Sequence, residues 1–200
     1  IYANFNGTKG DVEVFTHEMG HAFQNYSSRN LPLSDYLWPT SEACEIHSMG
    51  LEFLTWPQMD LFFGDEGERF RRLHLTESLL FLPYGTAVDH FQHLVYAAPD
   101  SSADRRGEMW QEMEQTYLPS LRWGDLSHPA SGRRWQAQLH IYTNPFYYID
   151  YALALTCALQ LWLLAERDRD AALGAYVQLC SRGGQAPFGE LVRRPHLALR

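Results

Sequence analysis

The stretch DVEVFTHEMGHAFQNYS, residues 11–27, has apolar residues at helical spacing and decides how the rest of the sequence is interpreted. Thr8 or Asp11 can cap the start of this predicted helix. Within it, HEMGH at residues 17–21 forms an H-E-x-x-H pattern. Because residues four apart share one face of a helix, both imidazoles can bind one metal ion. The alternative is a surface helix that carries two solvated histidines.

The pattern predicts hydrolytic chemistry at a bound zinc ion. Zinc held by His17, His21 and one further protein group keeps a fourth position open for a water molecule. The ion lowers the pKa of that water and polarises a carbonyl group. Glu18 projects beside the metal, where its carboxylate can take a proton from the water. We therefore expect one Zn²⁺ per chain.

A second predicted helix, TSEACEIHSMGLEFL at residues 40–54, offers a third metal ligand. The helix follows Pro39 and begins with a capping-type threonine or serine. The residues that recur along one stripe at three- and four-residue steps are Glu42, Glu45, Ser48, Met49 and Glu52. Spacing alone leaves Glu42, Glu45 and His47 as competing ligands.

Three local patterns follow one another in a fixed order. They are GTKGDV ahead of HEMGHAF, E-x-x-S-x-x-x-E at residues 45–52, and HIYTNPFYYIDY at residues 140–151. Together they resemble the zinc oligopeptidases of the thimet oligopeptidase and oligoendopeptidase F group, and the third pattern is similar to the Pz-peptidase-like branch. The resemblance covers nearly the whole chain and implies that Glu45 is the third zinc ligand. It also implies a zinc-dependent metalloendopeptidase that acts on oligopeptides.

The third pattern supplies further candidate site residues through the resemblance. In the family, a histidine and tyrosines of this segment hydrogen-bond the substrate and the tetrahedral oxyanion. By position these residues are His140, Tyr147 and Tyr148, with Tyr148 ranked first and Tyr151 as a further candidate. Preorganised donors stabilise the negative charge that the attacked carbonyl oxygen gains. The alternative is an aromatic stripe that only packs.

Other residues of the second helix have predicted supporting roles or belong to a rival interpretation. Ser48 and Glu52 share the stripe of Glu45 and can orient metal ligands. A structural zinc would instead be closed by a fourth protein ligand, for which Cys44 and His47 are the candidates. A further rival is a binding or scaffold fragment that retains the motif but lacks the substrate channel.

The expected fold class is mainly α, a multi-helical zincin-type catalytic domain with a short β element near the N-terminus. Residues 1–5 alternate large side chains before Asn6-Gly7, which predicts a strand and a turn. The apolar run at residues 152–164 is too short to cross a bilayer and predicts a buried helix. Proline and glycine break the remaining predicted helices, which span about 66–81, 83–96, 103–117, 145–167 and 170–179.

Composition and length bound the remaining expectations. The 200 residues suit a single catalytic domain, 1–200, and family members are longer, so we expect the C-terminal part of a larger enzyme. A net charge of -8 argues against non-specific nucleic-acid binding. Three cysteines are too few for a disulfide framework. The sequence shows no signal peptide and predicts no membrane partner, which favours a cytoplasmic setting; it leaves the oligomeric state open.

Overall fold

The computed structural model describes residues 3–193 and is mainly helical over that range. The helices, numbered in chain order, are α1 Lys9–Ser28, α2 Ser41–Leu54, α3 Asp60–Phe63, α4 Gly67–Ala97, α5 Ala103–Tyr117, α6 His140–Thr143, α7 Tyr148–Ala165, α8 Arg169–Arg182 and α9 Phe188–Leu191. Short 3₁₀ and π turns lie at Ser34–Tyr36, Trp56–Gln58, Gly64–Glu66, Pro129–Arg133 and Arg134–Ala137. The bounds of α2 and α5 agree with the sequence prediction.

The β element predicted at the N-terminus is wrong for the residues that the structure describes. Residues 3–193 contain no strand, and Ile1 and Tyr2 of the predicted strand lie outside the described residues. The physical reason is that a strand needs a second extended segment to pair with, and residues 3–193 supply none. At the predicted turn, the carboxylate of Asp11 accepts the backbone N–H groups of residues 6, 7 and 8. These hydrogen bonds join the predicted turn to the start of α1 and cap the helix.

The predicted break at Pro83 is also wrong, because α4 continues through this residue. Proline lacks the N–H that would bond the carbonyl of Leu79, four residues earlier. Leu79 is 52% exposed, so this turn of α4 lies at the surface, where a missing backbone hydrogen bond costs less than in the core. The hydroxyl of Thr86 donates to the carbonyl oxygen of Leu82 at 2.9 Å, which supports the backbone of the same turn.

The described chain forms two compact units. The first combines the chain up to Thr76 with the chain from Leu153 onward, and the second is Glu77–Ala152. Each unit contains its own hydrophobic cluster. The buried residues of the first cluster include Ala43, Ile46, Leu54, Leu161, Tyr176 and Leu179. Those of the second are Ala87, Val88, Phe91, Met109, Trp110 and Met113.

A glycine lets α1 lie directly against α2 in the first unit. A Cβ atom at Gly20 would stand 2.4 Å from the backbone oxygen of His47 and 2.6 Å from the Cα of Ser48. The same oxygen of His47 accepts a 2.8 Å hydrogen bond from the hydroxyl of Tyr176 on α8. Three helices are therefore in close contact at Gly20, which lies between the two histidines of the H-E-x-x-H pattern.

Helix α7 is long and apolar enough to span a membrane by length and composition. It has 18 residues, a mean hydropathy of 1.4 and one third of its length buried inside the structure. Its residues Ala154, Leu155, Cys157, Ala158 and Leu161 are buried. A core helix passes the same length and hydropathy criteria, so a single helix of this kind is weak evidence for a membrane span.

Candidate metal centre

Helices α1 and α2 bring three metal-ligating side chains together in the first unit. One ligand atom from each of His17, His21 and Glu45 lies within 4.8 Å of the other two. The Oε2 atom of Glu45 is 3.3 Å from Nε2 of His17 and 3.6 Å from Nε2 of His21. The H-E-x-x-H spacing places both imidazoles on one face of α1, and Glu45 faces them from a buried position on α2.

The competing ligands on α2 do not join this cluster. His47 is completely buried, and burial and the nearby His21 lower its pKa to about 3. Burial, together with the nearby carboxylate of Glu45, raises the pKa of the Cys44 thiol to about 12, which disfavours the thiolate that binds metals. Neither of these residues nor Glu42 belongs to the cluster formed by the described residues.

A buried hydroxyl supports Glu45. The side chain of Ser48 donates to Oε2 of Glu45 at 2.8 Å, one helical turn along α2. This is the supporting contact that the stripe of the second helix predicted for Ser48.

The imidazole of His17 is oriented by a chain of hydrogen bonds that reaches α4. Its Nδ1 atom lies 2.7 Å from Oε1 of Glu52, and Oε2 of Glu52 lies 2.8 Å from Nε2 of His74. The indole Nε1 of Trp56 donates to Nδ1 of His74 at 3.0 Å. Glu52 contacts His17 as the helical stripe predicted, whereas sequence reasoning missed His74 and Trp56.

The charges in this cluster are strongly coupled. Burial lowers the pKa of His17, but hydrogen bonds and charge interactions with Glu45 and Glu52 outweigh it and raise that pKa to about 10. Burial works to raise the pKa of Glu52, yet the hydrogen bonds from His17 and His74 bring it below its usual value. Burial lowers the pKa of His21. The cluster therefore attracts positive charge, which is supplied by a proton on His17 when no metal ion is bound.

The donor set fits zinc. The Nδ1 atom of His17 donates to Glu52, so the neutral ring directs the lone pair of Nε2 towards Oε2 of Glu45. A nitrogen lone pair and a carboxylate oxygen repel each other at 3.3 Å unless a cation or a proton lies between them. Two imidazoles with one carboxylate make up a three-ligand set known from catalytic zinc sites.

Glu18 follows the first histidine on α1 and is half-buried. Its charge helps to raise the pKa of His21, although burial has the larger, opposite effect. Glu18 is therefore close enough to act on the metal-binding residues electrostatically and is not one of the three clustered ligands.

The second unit contains a separate aromatic cluster around His140. The ring centroids of Tyr147, Tyr148 and Tyr151 lie 5.9, 5.1 and 5.7 Å from that of His140. The amide nitrogen of Gln138 is 2.8 Å from Nδ1 of His140, and since an amide NH₂ group only donates, the proton of the neutral ring is on Nε2. His140 therefore presents an N–H group at its other edge.

The tyrosine ranked first, Tyr148, is partly buried and uncharged. Burial is the main reason that its pKa lies well above the usual value, and Tyr84 and Tyr151 add to the shift. A phenol in this state retains its proton at neutral pH and can donate a hydrogen bond. The turn before Tyr148 contains Phe146 at a φ of 64°, whose N–H donates to Gln92 Oε1 at 2.8 Å.

Comparison with known proteins identifies the family. The model of peptidase family M3 matches residues 1–197. The chain belongs to peptidase family M3. Three solved structures extend this result. The M3 chain superposes with a TM-score of 0.93 and 49% identity on a structure of Pz peptidase A with an inhibitor, covering 96% of this chain and 34% of that one.

Two further structures carry the name oligoendopeptidase F. The first, assigned as such, is 53% identical with a TM-score of 0.93, over 96% of the M3 chain and 34% of its own length. The second, an assigned oligoendopeptidase F from Bacillus anthracis str. Ames, is 47% identical with a TM-score of 0.83, over 98% and 32% respectively. The M3 chain thus spans about one third of these structures. No curated protein matches it.

Proposed function

We propose that this M3 chain is the metal-binding part of a zinc-dependent metalloendopeptidase that hydrolyses peptide bonds of oligopeptides. The observation that carries the proposal is the cluster of His17, His21 and Glu45, with Glu18 beside it and outside the ligand set. Family membership and the peptidase names of the similar structures support a peptidase. The oligopeptide substrate class rests on the resemblance to the oligopeptidases.

His17, His21 and Glu45 would hold the metal. A bound zinc ion would supply a Lewis acid and would lower the pKa of a water molecule to about 7. Two neighbouring residues orient the ligands for this role. Glu52 keeps the lone pair of His17 Nε2 directed at the cluster, and Ser48 fixes the carboxylate of Glu45.

Glu18 would act as the general base and then as the general acid. A half-buried carboxylate beside the metal can hold the proton that the attacking water loses, at one of its two oxygen atoms. The same atom can then deliver the proton to the nitrogen of the leaving amine. His140 and Tyr148, with Tyr147, would donate hydrogen bonds to the oxyanion and to the peptide backbone, as the family resemblance implies.

The rival of a purely structural zinc has less support. A structural site is closed by four protein ligands. Within residues 3–193, no fourth histidine, cysteine or acid joins the three clustered residues. Burial holds Cys44 as the thiol, which binds metals poorly. His47 is neutral and could bind a metal, but it does not belong to the cluster. We also propose a cytoplasmic setting, where the three cysteines would stay reduced.

The first test is hydrolysis of a quenched fluorescent oligopeptide by the purified chain. We expect a chelator to abolish activity and one equivalent of zinc to restore it. Glu18→Gln is expected to bind zinc with native affinity and to lose activity by about 10²–10⁴-fold, the usual contribution of general acid–base catalysis. Glu13→Gln on the same helix is the matched control, because Glu13 pairs with Lys9.

Two results would contradict the proposal in different ways. Full peptidase activity in Glu18→Gln would remove this residue from the mechanism. A chain that binds one zinc ion and cleaves no peptide would contradict the catalytic role for these 200 residues taken alone, while it would support the metal-binding role.

A further inference from the structure

We propose that Trp56 and His74 are positioning residues for the metal ligand His17. They determine which atom donates and which accepts in each hydrogen bond of a series of side chains that ends at His17. This inference rests on the proposed zinc site and deepens it. Its basis is a chain of four side chains, Trp56, His74, Glu52 and His17, joined by contacts of 3.0, 2.8 and 2.7 Å.

The direction of the chain begins at the indole. Trp56 Nε1–H is a donor and has no lone pair to offer, so Nδ1 of His74 must accept. A neutral His74 then carries its proton on Nε2, which faces Oε2 of Glu52 at 2.8 Å. Trp56 therefore selects one tautomer of His74 and leaves that ring only one donor to offer.

The direction continues through Glu52 to the metal ligand. The carboxylate of Glu52 accepts from His74 at Oε2 and from His17 at Oε1. Because a carboxylate oxygen accepts, Nδ1 of His17 carries a proton, and Nε2 is the nitrogen that faces the metal-binding cluster. His17 is therefore supplied to the metal in the tautomer that can bind it.

The environment keeps these groups in place. The side chain of His74 is 8% exposed and that of Glu52 is 13% exposed. His74 stacks on Phe70 with ring centroids 5.7 Å apart and tilts against Phe53 at 4.9 Å. A buried hydrogen bond between a carboxylate and imidazole groups is stronger than one in water, so loss of His74 disturbs the orientation of His17.

The two metal-binding histidines differ in the hydrogen-bond partner of their Nδ1 atoms. His21 Nδ1 is buried and has no hydrogen-bond partner within the described residues, whereas His17 Nδ1 is bonded to Glu52. The chain from Trp56 thus orients one of the two imidazoles. Its loss is expected to weaken zinc binding and not to abolish it.

Zinc affinity of the full 200-residue chain, measured by competition with a chromophoric chelator, tests the proposal. We expect His74→Phe, which keeps an aromatic ring, to weaken zinc binding about tenfold or more. His74→Gln is expected to recover part of that loss, because its amide can accept from the indole and donate to Glu52. Trp56→Phe is expected to weaken binding by about threefold to tenfold.

Trp162→Phe is the matched control for Trp56→Phe. Trp162 lies in the same aromatic group, 5.2 Å from Trp56 between ring centroids, but its indole donates to Glu166 at 3.2 Å. A comparable loss of zinc affinity in Trp162→Phe would show that the effect comes from ring packing, and it would overturn the proposal.

A second readout is the tautomer of His74 in a long-range ¹H–¹⁵N spectrum of the metal-free chain. We expect a proton on Nε2 and none on Nδ1, and a mixture of tautomers in Trp56→Phe. A native His74 with its proton on Nδ1 would overturn the proposal. The tautomer of His74 in the native chain tests the proposal even if His74→Phe does not fold.

The outcomes separate this proposal from the proposed function. If the native chain does not bind zinc, both fail. If the native chain binds zinc and Glu45→Gln removes the binding, but His74→Phe and Trp56→Phe stay within twofold of native, then only the positioning roles fail.

Discussion

The metal centre of the first unit and the aromatic cluster of the second both fix the tautomer of a histidine. They differ in the group that this histidine chain presents at its end. In each, an N–H group of a neighbouring side chain fixes the tautomer of a histidine: the indole of Trp56 acts on His74, and the amide NH₂ of Gln138 acts on His140. The first chain fixes a proton on His17 Nδ1, so that Nε2 is the nitrogen whose lone pair can bind a metal ion. The second ends with an N–H on His140 Nε2. A lone pair binds a metal ion, and an N–H group binds an oxyanion.

The two groups also differ in charge. The chain behind His17 passes through the carboxylate of Glu52, whose hydrogen bonds hold it ionised. The contacts around His140 run from the Tyr84 hydroxyl through the Gln138 amide and are neutral. Charged hydrogen bonds contribute about twice as much as neutral ones. Changes in the metal centre are therefore expected to act on metal affinity, and changes in the aromatic cluster on catalysis and on local stability.

The largest expected effect is a loss of catalysis when the aromatic cluster is changed. Tyr148→Phe removes a phenol that burial keeps protonated, and the proposed function makes this phenol an oxyanion donor. We expect kcat on an oligopeptide to fall by about 10²–10³-fold, with zinc affinity unchanged. Tyr142→Phe is the control, since Tyr142 is 55% exposed on the same segment. An equal loss in both variants would assign Tyr148 a packing role.

The next largest expected effect is a loss of zinc affinity when the metal centre is changed. Glu45→Gln removes the carboxylate that faces both histidines, and we expect zinc affinity to fall by more than the roughly 10–100-fold typical of supporting residues. The comparison variant is Glu42→Gln, one turn earlier on α2 and outside the cluster. If Glu42→Gln weakened zinc binding as much, Glu42 would have to be counted among the ligands.

A smaller expected effect tests how the packing of α1 against α2 contributes to stability and to zinc affinity. Gly20→Ala places a methyl group 2.4 Å from His47 O, so α1 must move away from α2. We expect the free energy of unfolding to fall by about 1–3 kcal/mol and zinc affinity to fall with it. Gly174→Ala on α8 is the control, because its added Cβ meets nothing within 4 Å. That variant is expected to gain about 0.5–1 kcal/mol; equal results in denaturant titrations would contradict the close contact.

The smallest effect tests the neutral contacts. Tyr84→Phe removes the hydroxyl that donates to Oε1 of Gln138 at 2.9 Å. We expect a loss of about 1 kcal/mol in stability and no change in zinc affinity. A change in zinc affinity similar to that of His74→Phe would remove the distinction between the two groups. Thermal unfolding and chelator competition measure the two quantities separately.

Local sequence patterns determined the elements that bear the metal-binding residues. The spacing of the H-E-x-x-H pattern predicted one helix for His17, Glu18 and His21, because helical geometry puts residues four apart one turn apart on the same face, close enough to bind one ion. The capping threonine and the three- and four-residue steps likewise predicted α2 and the supporting contacts of Ser48 and Glu52. These inferences succeeded because they depend on neighbours in the chain.

Only the tertiary structure decided which distant groups meet. Spacing left Glu42, Glu45 and His47 open, and the close packing of α1 on α2 at Gly20 is what brings Glu45 to the histidines. His74 lies 22 residues beyond Glu52 on another helix, so no local period connects them. The strand expected before α1 and the break expected at Pro83 failed for the same reason. A pairing partner for residues 3–5, and the surface position of the turn at Pro83, are properties of the folded surroundings and not of a local pattern.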